Sequence, residues 1–329
     1  FKQKTAYEIR LSLVGSEMCI RDRANYPEIR YFIVSREKNA SSSVPLEEAH
    51  GEWKICSPTT AGDFSGVGYY FAQRLHRTLN RPVGLIDNSW GGTYAQSWMS
   101  PEALAADPEY APHLAWAREG LERAPVEKQR YQEELRTWQE HGADPVTKPI
   151  PPYWHAGHRN TPAGLYRARV VPLFGYPVKG VLWYQGEANA AQARLYEKLL
   201  PDLIGDWRRG WGRHDLPFLI VQLPSLGSPG SAPEVYRDSR WAELRDAQLR
   251  VSKRVRGTAL AVTVDVGETH IHPRNKRVAH DRWLEPQTTE EHREERTGHC
   301  TAYDDDQNRD RHHASGQCRG REEQSWSHA

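Results

Sequence analysis

Three short stretches gather the residue types that could do chemistry. The first is Gln185-Gly186-Glu187-x-Asn189, a cluster of hydrogen-bonding groups directly after the apolar run Val181-Leu182-Trp183-Tyr184. The second is Asp87-Asn88-Ser89-Trp90-Gly91-Gly92-Thr93, directly after Val83-Gly84-Leu85-Ile86. The third is Asp265, Glu268, His270 and His272, after the apolar segment from Thr258. Amide and carboxylate side chains, a glycine pair and a histidine are the parts needed for acyl transfer. Backbone N–H groups at Gly91-Gly92 and the Asn189 amide would meet a developing oxyanion. His272 would serve as general base, oriented by a carboxylate such as Asp265. Pro273 fixes the loop beside that histidine. Each stretch also has a plainer reading: a polar loop capping a strand, a tight turn beside a helix, a structural histidine.

Ser89 lies where a strand meets a turn, as a nucleophile would, but it lacks the G-x-S-x-G frame of a nucleophile elbow. The glycine pair is neither G-x-G-x-x-G nor a phosphate loop ending in Lys-Ser or Lys-Thr, so nucleotide binding has little support.

The elements that must position these loops can be read from the same pattern. Apolar runs of four to eight residues bounded by turn signals read as buried strands. Such runs occur at Asn25–Arg36, Val83–Ile86, Val181–Tyr184, Phe218–Leu223 and Thr258–Val266, with a shorter alternating strand at Trp53–Cys56. Helical spacing marks Phe64–Leu79, Ala191–Trp207 and Trp241–Val255. Leu165–Phe174 leads into the strand at Val181. Strands alternating with helices predict a three-layer α/β fold, with ligands at the carboxyl ends of the strands. Pro101 to about Gly142 reads as a helical insertion of two helices broken near Ala124-Pro125, followed by a proline-rich loop carrying Tyr153, Trp154, His155 and His158.

Composition bounds the partners. Forty-four lysines and arginines against 43 aspartates and glutamates leave a net charge of +1, which removes the electrostatic case for nucleic acid or an acidic membrane as main partner. No window approaches the ~20 apolar residues of a membrane span. Twelve tryptophans and 15 tyrosines suit either a sugar groove or a core. Cys19, Cys56, Cys300 and Cys318 show neither metal-ligand spacing nor a disulfide framework.

The two ends differ from the middle. Residues 1–23 lack the pattern of a signal peptide and resemble translated sequencing-adapter sequence, so they are read as non-native. From Leu284 to Ala329 only eight residues are apolar or aromatic, too few to offset the entropy of ordering, which predicts a disordered or out-of-frame tail. The histidines there, His292, His299, His312, His313 and His328, are irregularly spaced and do not read as a metal site. The expected catalytic domain is thus 24–283, with its helical insertion at about 101–160.

Five blocks in order carry a family resemblance: FSGVGYYFAQRLHRTLNRPVGLIDNSWGGT, PAGLYRARVVPLFGYPVKGVLWYQGEANA, DWRRGWGRHDLPFLIVQLP, WAELRDAQL and DVGETHIHPRNK. From about Ala24 to about Lys276 the chain resembles the sialate O-acetylesterase family, which are SGNH-type carbohydrate esterases with a flavodoxin-like α/β/α core. The resemblance implies a serine hydrolase that removes acetyl groups from sugar hydroxyls without metal or cofactor. It implies an O-acetylated sugar or glycan as partner, a periplasmic or secreted setting, oxyanion or substrate contacts at Gly91, Gly92, Gln185, Glu187 and Asn189, and His272 as base.

The sequence departs from the family pattern in three ways. The family's nucleophile lies in a Gly-Gln-Ser-Asn block before the position matching Ala24, and no such block occurs here; Ser89 matches a family serine that is not the nucleophile. His270-Ile271-His272-Pro273 stands where the family has Asp-Ile-His-Pro. Arg167 and Arg169 replace a small polar and an apolar residue, placing two arginines on what reads as a strand near the core. The sequence therefore supports an esterase inactive as written. A non-catalytic sugar-binding remnant and an acetylxylan esterase stand as alternatives.

Overall fold

The computed structural model describes residues 24–225 and 239–266. The chain divides into two units, Phe1–Glu285 and Pro286–Ala329, and every described residue lies in the first.

β1 (Tyr26–Val34) buries Ile29, Tyr31, Phe32 and Val34, leaves Glu28 and Arg30 exposed, and pairs antiparallel with β2 (Gly51–Cys56). Helix α1 (Gly66–Leu79) follows. Its start is capped by the Ser65 side chain, which accepts from the Gly68 N–H, and Asn80 in the left-handed region ends it. β3 (Val83–Asp87) then returns parallel to β1, with Phe32 opposite Ile86. The second half of the chain repeats this logic. β4 (Val181–Trp183), β5 (Phe218–Val221) and β6 (Thr258–Ala261) run parallel in the order β4-β5-β6. They are joined by α4 (Ala193–Gly210) and α5 (Arg240–Arg254); α2 and α3 belong to the helical segment between β3 and β4 described below.

The α/β class predicted from the alternation holds. Among the described residues its ladders form two three-stranded sheets, β2-β1-β3 and β4-β5-β6. Tyr196, Leu199, Leu200, Leu203 and Ile204 of α4 are fully buried with Phe218, Ile220 and Leu260, which makes this helix and the second sheet the main core. Side chains of that size contribute ~1.5–3 kcal/mol each on full burial. Val67 of α1 packs with Val221 of β5 and Tyr184, so the two halves share apolar contacts. Parallel strands bring their carboxyl ends to one edge within each sheet, Val34 and Asp87 in the first and Trp183, Val221 and Ala261 in the second.

Three local expectations are corrected. The insertion is not two helices broken at Pro125. It comprises a short α2 (Pro101–Ala105) and an α3 that continues from Ala111 to Glu140 through Pro125. Pro125 lies on the exposed side, where water can solvate the carbonyl that loses its bond, while Ala117 and Ala124 pack on Trp154. Gly120 is what admits that ring, since a Cβ there would sit 2.0 Å from Trp154 Cδ1. The LYRARV segment is not a strand. Tyr166–Val170 is a single π-helical turn followed by a 3₁₀ turn at Val171–Leu173. β6 ends at Ala261, and Asp265 lies in a separate 3₁₀ turn, Val264–Val266. Val264 and Asp265 are exposed there, so burial no longer holds the chain extended.

Candidate active site

The turn after β3 and the turn after β4 are clamped together by side-chain amides. Gln185 Nε2 donates to the carbonyl of Thr93 at 3.0 Å and to Asn189 Oδ1 at 2.7 Å. Asn189 Oδ1 also accepts from the Ala95 N–H at 3.0 Å, and Asn189 Nδ2 donates to Gln96 Oε1 at 3.0 Å and Gln192 Oε1 at 3.3 Å. Asn189 is fully buried with both amide hydrogens committed inside the protein. Its geometry is that of a clamp holding the Thr93–Gln96 segment, whereas the sequence suggested direct contact with an oxyanion.

Gln185 is held from behind. Tyr196 Oη donates to Gln185 Oε1 at 2.9 Å and itself accepts from Trp183 Nε1 at 3.1 Å, while Gln248 Nε2 donates to the Gln185 carbonyl at 3.0 Å. Burial pushes the Tyr196 phenol well above its usual range, so it stays a donor at any working pH. Gly186, at φ 151°, makes the turn under this network, and a Cβ there would lie 2.4 Å from Leu244 Cδ2. Glu187 opens the 3₁₀ segment Glu187–Gln192 and is half-buried.

Gly91 and Gly92 are exposed, Gly92 at φ 72°. A Cβ on Gly91 would meet nothing within 4 Å, so one face of the turn is open. The turn is fixed from its other side by Asn160, which the sequence did not single out. Asn160 Oδ1 accepts from the Tyr94 N–H at 3.0 Å, and Nδ2 donates to the Gly92 carbonyl at 3.2 Å and to Tyr153 Oη at 2.7 Å.

Ser89 is exposed beside this turn, but its hydroxyl donates to Asp87 Oδ1 at 2.6 Å, and its N–H donates to the same oxygen at 3.0 Å. That is a local Asx turn, with a carboxylate and not an imidazole on the hydroxyl. Asp265 is exposed just beyond β6. His272, Glu268 and His270 lie outside the described residues. Among the described residues no cluster of His, Cys, Asp and Glu has the makings of a metal site.

Arg169, which the sequence left without an explanation, organises the carboxyl ends of β1 and β3. Its guanidinium is fully buried and donates to Asn88 Oδ1 at 2.9 Å, to the carbonyls of Ser35 at 2.9 Å and Asn39 at 3.2 Å, and to Val34 at 3.1 Å. It lies 5.4 Å over the Trp90 ring, and the Asn88 amide donates back to the Arg169 carbonyl at 2.9 Å. Burial, reinforced by Arg36, lowers its pKa to about 10, which still leaves it charged at neutral pH. The π turn aims this side chain inward, so no strand periodicity could have revealed it.

An α/β scaffold whose polar groups converge at the carboxyl ends of neighbouring strands, without a phosphate-binding loop, is an SGNH-like fold with a candidate hydrolase site. Residues 150–278 match the family described as "Carbohydrate esterase, sialic acid-specific acetylesterase". The chain is 31% identical to the sialate O-acetylesterase of Mus musculus over 279 residues, covering 78% of this chain and 49% of that protein. It is 30% identical to the Homo sapiens sialate O-acetylesterase over 284 residues, covering 81% and 47%. Among solved structures it matches a carbohydrate acetylesterase from Xanthomonas citri with a TM-score of 0.62 and 30% identity, covering 83% of this chain and 51% of that one. These similarities run to sialate O-acetylesterases and, over residues 150–278, to that carbohydrate esterase family. The chain spans about half the length of the curated relatives it matches.

Proposed function

We propose that the protein is a carbohydrate O-acetylesterase that hydrolyses acetyl esters on sialic acid or related sugars by serine-type acyl transfer. The observation that carries this reading is the amide clamp. It holds the open Gly91-Gly92 turn against the Gln185–Asn189 turn at the carboxyl edge of the strands. Rigid backbone N–H groups at such a turn can meet an acetyl oxyanion, and one such donor is worth ~2.7–4 kcal/mol of barrier. A serine hydroxyl attacks the acetyl carbonyl and His272 takes its proton, with Asp265 orienting the ring. The sugar alcohol leaves with that proton, and water then releases acetate by the reverse of the same steps. Gln185 and Asn189 act by holding the turn, and Glu187 at the mouth contacts substrate.

The nucleophile in this reading belongs to the Gly-Gln-Ser-Asn block that residues 1–329 do not contain. Ser89 bonded to Asp87 is a poor substitute, since no imidazole takes its proton. The chain as written is then a binding remnant without turnover. In the same reading residues 24–283 form the esterase domain. Acetate release from 9-O-acetylated N-acetylneuraminic acid and from acetylated xylan tests this. No release by residues 1–329, and release when a Gly-Gln-Ser-Asn segment is restored ahead of Ala24, is the expected result. Release by the chain as written, abolished in Ser89→Ala, would make Ser89 the nucleophile. A preference for xylan in the restored protein would make it an acetylxylan esterase. Failure of the restored protein on both substrates would remove the esterase reading.

A further inference from the structure

Gly91 and Gly92 are exposed, so water could satisfy the backbone groups there, yet protein side chains hold the turn at several points. Thr93 Oγ1 donates to the Trp90 carbonyl at 2.8 Å, Asn160 Nδ2 to the Gly92 carbonyl at 3.2 Å and Gln185 Nε2 to the Thr93 carbonyl at 3.0 Å. Asn160 Oδ1 and Asn189 Oδ1 accept from the N–H groups of Tyr94 and Ala95. A peptide unit is planar, so a bond to one of its ends orients both. These bonds fix the peptide before Gly91 and the two after Gly92. The Gly91–Gly92 peptide between them makes no hydrogen bond among the described residues. Two glycines put no Cβ in the way of that peptide turning over, so the direction of its N–H is set by its fixed neighbours.

Asn160 holds two consecutive peptides of the turn, 92–93 through its amide hydrogen and 93–94 through its oxygen. The side chain is buried, and its second amide hydrogen goes to Tyr153 Oη at 2.7 Å. Its own N–H donates to His158 Nδ1 at 3.3 Å. Burial, with His155 and Arg159 nearby, lowers the His158 pKa to about 4, so that nitrogen remains an acceptor at neutral pH. The His158 ring lies edge-on to Trp154 at 5.0 Å, and Trp154 packs on Ala117 and Ala124 of α3. Arg159 covers another side of the turn, since a Cβ on Gly92 would lie 3.5 Å from its Nη2. A continuous set of contacts therefore runs from the helical insertion through Trp154, His158 and Asn160 to the glycine turn. An exposed carbonyl would lose little if water replaced Asn160; what the side chain adds is a fixed direction.

We propose that Asn160 is a positioning residue for acyl transfer: its bond to the Gly92 carbonyl keeps the Gly92 N–H aimed at the developing oxyanion, and through it the helical insertion governs that step. The inference rests on the esterase reading. Asn160 touches the turn and not the substrate, so its loss lowers kcat and leaves KM nearly unchanged. Its two halves are separable. An aspartate in its place keeps the acceptor for the Tyr94 N–H and loses the donor to the Gly92 carbonyl, which it regains when the carboxyl is protonated.

The test has two arms. In the 329-residue chain, amide hydrogen exchange is compared for wild type, Asn160→Ala and Asn160→Asp. Exchange at Tyr94 should quicken about fivefold in the alanine variant, as for one lost hydrogen bond, and stay near wild type in the aspartate variant. Unchanged exchange in the alanine variant overturns the hold on the turn, whatever the protein hydrolyses. In the nucleophile-restored protein, Asn160→Asp should lower kcat for acetate release at pH 7 on the order of tenfold with KM within about twofold. Because burial raises a carboxyl pKa, the ratio of variant to wild-type kcat should climb toward one as pH falls from about 7 to 5. A kcat equal to wild type overturns the proposal. So does a loss that is the same at every pH and matched by a lower urea midpoint, which is a merely structural role, or a loss seen in KM alone. Acetate release by wild type with no effect of Asn160→Asp removes this residue's role and keeps the esterase reading. Faster exchange in Asn160→Ala with no acetate release by the restored wild type removes the esterase reading, and the catalytic role with it.

Discussion

Replacing Arg169 with methionine removes a cation from the interior and takes a donor from the carbonyls of Val34, Ser35 and Asn39 and from the Asn88 side chain, although the Ser35 carbonyl keeps the Asn39 N–H. Methionine keeps most of the apolar stem, so the lost volume is small. Each buried acceptor left unsatisfied costs ~1–3 kcal/mol. Relief from burying an unpaired guanidinium offsets part of that sum. A net destabilisation of about 3–5 kcal/mol remains, which for a domain of this size lowers Tm by roughly 6–20 °C. Arg169→Lys should fall between, because one ammonium cannot reach acceptors spread over the ends of β1 and β3. Urea unfolding at pH 7 followed by tryptophan fluorescence and circular dichroism gives the stability, and the Trp90 ring beside the guanidinium supplies a local signal. A loss below about 1 kcal/mol in the methionine variant, with lysine and methionine alike, would refute the view that this guanidinium holds the two strand ends together.

Three further outcomes follow from the same geometry. Burial holds His113 neutral with its pKa lowered from 6.5 to about 4, so the unfolded chain takes up a proton between those values and the folded one does not. Stability should therefore fall as pH drops from about 6.5 to 4, by up to ~1.4 kcal/mol per pH unit, and His113→Phe should flatten that part of the curve; parallel pH profiles for the two proteins would contradict this. Gly186→Ala drives a methyl to 2.4 Å from Leu244 in a backbone conformation that disfavours side chains, and should cost ~2–4 kcal/mol. Gly91→Ala meets nothing within 4 Å and should leave the urea midpoint unmoved while altering only sugar binding, so equal midpoint shifts for both would undo the contrast. Asp265→Asn in the nucleophile-restored protein should lower kcat by a factor of ten or more, on the order seen when a base loses its orienting carboxylate; full acetate release by the variant would take Asp265 out of the mechanism.

Much of the frame was legible because it rests on local physics. Short apolar runs bounded by turn residues place the strands, and apolar residues at helical spacing mark α1 and α4. Those signals involve neighbours in the chain, so the sequence by itself determined the α/β class and the fact that polar clusters fall after β3 and β4. It could not show that Gln185 and Asn189 spend their amides on Thr93, Ala95 and Gln96, since those partners lie 92 to 94 residues away. Nor could it show why two arginines sit in LYRARV, because a π turn, not a strand, decides which way Arg169 points. The placing of Asn160 and Arg159 on the glycine turn is of the same kind. A side chain's type fixes what bonds it can make, but only the packed chain brings a distant donor and acceptor to 3 Å, and that long-range closure is where the site was decided.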